Sequence, residues 1–126
     1  MKQRDLIYIA LGALYLLLGT LLGIVMGIRQ DFVLAPVHAH INLVGFAAHS
    51  VFGLVYRAWP KLNEGVLAAA QFWLFVIGAP LFMGGIALAI KTGNIAGAVA
   101  GSLLVCLGAL LFLVIVVRGL LRSIPA

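Results

Sequence analysis

Charge is scarce in this chain of 126 residues: 9% of it is Asp, Glu, Lys or Arg, and three residues are acidic. A soluble domain carries about a quarter charged residues, so an ordinary soluble fold is excluded. No polar or low-complexity tract is long enough to make a second, water-exposed domain. The single cysteine, Cys106, rules out an intramolecular disulfide and reads as a small apolar packing residue. No Asp, Glu, Lys or Arg falls in the middle of an apolar run. That argues against a proton-coupled transporter of the small four-helix kind, which needs an intramembrane carboxylate.

What is present is apolar: 65% of the residues are hydrophobic, in four runs over residues 6–28, 37–58, 65–90 and 95–117. Each run is long enough to cross a bilayer, which takes about 20 residues, and lacks the alternation of a barrel strand. The expectation is an all-α integral membrane protein, one transmembrane domain over residues 1–126, with four helices in an antiparallel bundle. The first run follows Lys2 and Arg4 like a signal peptide, but it is too long for a signal core and no small-residue cleavage site follows it; it reads as a retained anchor. Lys2, Arg4, Arg57, Lys61, Arg118 and Arg122 flank one side of the runs, while Arg29 and Lys91 flank the other. The positive-inside rule then puts both termini in the cytoplasm, in a multi-pass protein of the cell inner (cytoplasmic) membrane. The net charge of +5 is accounted for by this bias, without a nucleic-acid partner.

Turns are expected at residues 29–36, 60–64 and 92–94. Tyr8, Tyr56 and Trp59 lie near the cytoplasmic ends of their runs, where amphipathic rings suit the headgroup level. Gly19, Gly23 and Gly27, and again Gly97 and Gly101, are spaced four apart, so helix backbones can approach closely there, within one subunit or between subunits.

Polar chemistry gathers in the second run, "PVHAHINLVGFAAHSVFGLVYRAWP", which holds all three histidines. On an α-helix at about 100° per residue, His38 and His49 are about 20° apart around the axis and about 16 Å apart along it. Asn42, Gly45, Phe52 and Tyr56 fall on the same stripe. His40 is about 200° from His38 and addresses the opposite side. Two imidazoles so placed do not close on one small ion, so a zinc or copper site needs ligands from elsewhere. A haem suits them better, because it takes axial imidazoles from opposite sides and from different helices or chains. Gly45 and Gly53 would let a macrocycle come close. Against this stands a plain structural reading, with His38 and His40 at the interface and His49 and Asn42 bonding between helices.

The run "HAHINLVGF", preceded by Pro36-Val37 and followed by "FGLVYRAWP", resembles the haem-binding helices of the haem-copper oxidase and nitric oxide reductase catalytic subunits, especially the cbb3-like branch. In that family a His-x-His pair sends its imidazoles to two haems on opposite sides, and the first haem-ligating helix is also the second span, entered from the outer side. The family's subunit is built as three groups of four helices, and this chain is similar to one such group. The resemblance implies haem b binding by His38 and His40, with His49 as a third candidate, Asn42 and Gly45 lining the site, and copper as the lesser alternative.

The chain lacks the further histidines that hold the family's copper or non-haem iron. Oxygen or nitric oxide reduction is therefore not expected of the isolated chain. The resemblance implies electron transfer or haem-based redox or gas sensing, with a redox partner protein or a quinone. Because His38 and His40 face apart, ligation from both sides calls for a homo-oligomer: a trimer would recreate twelve helices, and a dimer is the nearest variant. A metal- or haem-handling assembly factor for a respiratory complex, or a structural subunit without cofactor, are the other classes.

Overall fold

The computed structural model describes residues 3–123, so Lys2 of the charge count lies outside the described residues. Four helices are long and apolar enough to cross a membrane: α1 (Arg4–Arg29), α2 (Ala35–Ala58), α3 (Gly65–Thr92) and α4 (Ala96–Ser123). No strand occurs among the described residues. The chain is an all-α four-helix bundle, a multi-pass membrane protein.

Helix ends follow local chemistry. α1 stops where Gln30 turns left-handed, its N–H donating to Met26 O. Pro36 sits in the first turn of α2, where its missing N–H removes no helical bond. Between α3 and α4, Gly93 adopts a φ of 75° and closes onto Ala89 O, and Asn94 Oδ1 accepts the Ala96 N–H at 3.0 Å. A 3-10 turn over Pro60–Asn63 joins α2 to α3. Arg4 Nη1 donates to Asn63 O at 3.0 Å, and Leu62 lies against Gly119. These contacts bring the start of α1, the α2–α3 turn and the end of α4 together at one end of the bundle.

Glycines set the spacing inside each of two hairpins. A methyl at Gly19 would fall 2.6 Å from Asn42 Oδ1, and one at Gly23 would fall 2.9 Å from His38 Cε1, so α1 lies directly on α2. In the second hairpin, Gly101 faces the Phe82 backbone and Gly85 faces Gly97 and Ala98. These glycines serve packing within one chain. Gly27, the last of the first row, has nothing within 4 Å of an added methyl.

The buried core, Tyr8, Phe52, Tyr56, Ala68, Phe72, Phe75 and Ile115, draws on all four helices and sits toward the Arg4 end. Its rings meet steeply, Tyr8 to Phe72 at 5.1 Å and Phe52 to Phe75 at 4.7 Å between centroids. Tyr8 and Tyr56 are thus core residues and not headgroup anchors, because a polar partner inside the bundle takes their hydroxyls. Trp59 is exposed as expected. Cys106 is also exposed, on the outer side of α4, which corrects its reading as a packing residue.

Gly101→Ala would drive a methyl into the Phe82 backbone and force the α3–α4 hairpin apart. It should destabilise the fold by about 1–3 kcal/mol. Gly84→Ala, with nothing within 4 Å, should be neutral or slightly stabilising. Equilibrium unfolding in mixed micelles separates the two.

Candidate functional site

α2 carries every histidine, and its middle departs from α geometry. Residues Ile41–Ala48, between His40 and His49, form a π-helix. Such runs are rare and concentrate at functional sites. The uniform α-helical rotation expected from His38 to His49 therefore does not apply, because these eight residues wind more slowly. Nothing in "INLVGFAA" announces a π run apart from a single glycine.

His38 turns toward α1. Its Nδ1 lies 2.9 Å from Gly19 O, and its ring edge covers Gly23. Asn42 holds the same seam, donating through Nδ2 to His38 O at 3.0 Å and packing on Gly19. Gly45 is filled by the Tyr15 ring, and Gly53 by Ile9 and the Asp5 carbonyl. The room for a macrocycle expected beside these two glycines is therefore taken by α1.

His40 faces the other way, toward α3, with its ring centroid 5.0 Å from that of Phe82. It is half-buried, and its Nδ1 lies 2.7 Å from Pro36 O, one turn back. The two imidazoles of His-Ala-His thus address different helices.

His49 is fully buried, at 0% exposure, among Tyr8, Tyr15 and Phe75. Its Nδ1 lies 2.9 Å from Val44 O, five residues back, a reach that matches the register of the π run. Its Nε2 is buried without a hydrogen-bond partner.

One chemical feature is common to the three rings. A carbonyl oxygen only accepts, so Nδ1 carries the hydrogen in each case and the lone pair lies on Nε2; that of His38 faces Asn42 Nδ2 at 3.4 Å, that of His49 is sealed in the core, and that of His40 has no partner among the described residues. Metal-ligating histidines are oriented in this way, one nitrogen donating to a carbonyl and the other left for the metal. The three do not converge: among the described residues no group of three or more His, Cys, Asp or Glu side chains could hold a metal ion. Nor does a recess bring two imidazoles together. An open groove of about 390 Å³ between α2 and α4 is lined by apolar residues, among them Val44, Ala48, Phe52 and Phe75, and includes no histidine. A haem ligated from both sides within one chain does not fit this arrangement. An imidazole offered at the chain's surface, as His40 is, fits one ligated between chains.

The polar centre that sequence reasoning missed is Gln71 on α3, fully buried at 0% exposure. Its Oε1 accepts from both Tyr8 Oη and Tyr56 Oη at 2.9 Å, tying α1, α2 and α3 together. The available signal was an uncharged polar residue inside the third apolar run. Compared with known protein families, curated proteins and solved structures, the chain matches none.

Gln71→Leu strands two buried hydroxyls and should destabilise the bundle by about 1–3 kcal/mol. Adding Tyr8→Phe and Tyr56→Phe to it should recover much of that loss, because the stranded groups are then gone. Unfolding midpoints of the single and triple variants check this.

Proposed function

We propose that the chain is a haem b-binding protein of the cytoplasmic membrane, both termini cytoplasmic, related to the haem-copper oxidase catalytic subunits as a single four-helix unit. The observation that supports this reading best is His40, half-buried toward α3, which gives its Nδ1–H to Pro36 O and has no partner among the described residues on Nε2. When bound, haem b would supply one-electron exchange or gas binding. His40 would be the principal residue to hold it, with Pro36 O fixing its ring and Phe82 standing against it. His38 of a neighbouring copy would be the second residue to hold it, Nε2 exchanging its 3.4 Å contact with Asn42 Nδ2 for the group, so the working form would be a homo-oligomer, a trimer or a dimer. His49 shapes the interior behind them. The electron partner is a protein or a quinone.

A second reading, a structural subunit without cofactor, draws support from His38 and His49, whose rings already serve helix packing. An assembly factor that handles metal or haem would use His40 transiently.

Visible spectra of the purified wild type and of His38→Ala, His40→Ala and His49→Ala separate these. The haem reading expects sharp reduced-form bands in the wild type, abolished in His40→Ala and diminished in His38→Ala. Circular dichroism identifies any variant that has simply unfolded. Four identical spectra remove the histidines as axial ligands, and a colourless wild type that takes up no added haem supports the structural subunit.

A further inference from the structure

At the end of the bundle where α1 and α3 begin lies a recess of about 540 Å³, lined by Arg4, Asp5, Tyr56, Arg57, Asn63 and Glu64 among others. Its two cations and two anions balance in number but not in pairing. Asp5 is paired, its Oδ2 accepting from Arg57 Nη1 at 3.2 Å, and this is the one salt bridge among the described residues. Arg4 is 8% exposed and has no carboxylate partner among them. Its bonds run from Nη1 to Asn63 O at 3.0 Å and, at the limit of reach, to Asn63 Oδ1 at 3.5 Å. Nε and Nη2 have no acceptor among the described residues, and Arg4 lines the recess. A guanidinium so deeply placed without a counter-ion is costly unless an anion joins it.

Two further features share the recess. α3 begins at Gly65, on its wall, and no side chain caps that end, so the first-turn N–H groups of a 28-residue helix are open to an acceptor. Glu64, exposed beside it, has a carboxylate with no partner among the described residues. With Asp5 and Arg57 cancelling each other, one buried cation and one exposed anion remain. Leu6 and Val66, each next in sequence to a residue of the recess wall, are exposed apolar side chains, at 48% and 85%.

We propose that this recess binds the headgroup of a zwitterionic phospholipid, its phosphate against Arg4 and the α3 amides and its ammonium against Glu64. The acyl chains then run along the apolar flank that Leu6 and Val66 begin. The carboxylate calls for a primary ammonium, which has three N–H donors, over a quaternary one, which has none. Phosphatidylethanolamine is therefore the class preferred over phosphatidylcholine. General attraction of Lys61, Arg118 and Arg122 to acidic lipid is a separate effect that any anionic bilayer satisfies. The site stands independently of haem.

Native mass spectrometry of the full chain, released from nanodiscs of phosphatidylethanolamine, phosphatidylcholine or phosphatidylglycerol with matched acyl chains, tests it. The wild type should retain one phosphatidylethanolamine per chain, with a preference over phosphatidylcholine of about tenfold. Glu64→Gln, an exposed change that breaks no side-chain bond, should bring the two zwitterionic lipids to equal retention. Arg4→Gln should release both, and Arg4→Lys should restore part of the binding even where the Asn63 tie is weakened. Equal retention of the two lipids by the wild type overturns the proposal, as does a preference unchanged in Glu64→Gln. Stronger retention of phosphatidylglycerol that salt abolishes also overturns it, reassigning the effect to diffuse charge. Displacement of the lipid by free phosphoethanolamine or inorganic phosphate at equal concentration overturns the lipid source in favour of a soluble ligand.

Discussion

An imidazole on one transmembrane helix reaches the main chain of another only if nothing stands between them, and in this protein Gly19 and Gly23 provide that clearance. With no side chains at these positions, His38 of α2 lies on the α1 backbone and donates to Gly19 O at 2.9 Å, while Asn42 packs on Gly19 itself. A methyl at either glycine would overlap these side chains. The contact fixes the angular position of the first turns of α2, and His40, two residues on, is thereby turned toward α3 and Phe82. Because hydrocarbon offers imidazole N–H groups no water, each must find a carbonyl, and the three that do so are Gly19, Pro36 and Val44.

The two ends of the bundle are built differently as a result. Toward the Arg4 end the helices converge on aromatic rings, and Gln71 accepts the hydroxyls of Tyr8 and Tyr56 through Oε1, while its Nε2 is buried without a partner among the described residues. Toward the other end glycines and imidazoles take over: α1 meets α2 backbone to side chain, and α3 meets α4 backbone to backbone. The π run lies between these regimes and ends on His49, the residue that touches both. At that other end His40 is half-buried, whereas His49, at the boundary, is fully buried.

Much of this was legible from the sequence. The four apolar runs match the helices to within two residues, except that the last helix continues six residues beyond its run, to Ser123, since in a bilayer length and hydropathy leave few alternatives to a helix. The opposed directions of His38 and His40 also follow from rotation along the short α-helical stretch Ala35–His40. The rotation could not be carried on to His49, because a π run has no residue signature and shifts every later position. The clearance at Gly45 and Gly53 was misread for a related reason: a small residue announces a close neighbour without saying which, and here the neighbour is α1. Gln71 escaped notice because it carries no charge, though in hydrocarbon an amide needs partners as surely as an ion does.

The most direct test of this account is the proton position on the rings, read from ¹⁵N chemical shifts of histidine-labelled protein in bilayers at neutral pH, without added metal or haem. All three histidines should show a protonated Nδ1 and an unprotonated Nε2, the state imposed by the carbonyls of Gly19, Pro36 and Val44. A proton on Nε2 of His40, with Nδ1 bare, would contradict the Pro36 bond and move the lone pair from Nε2, where the haem reading needs it, to Nδ1.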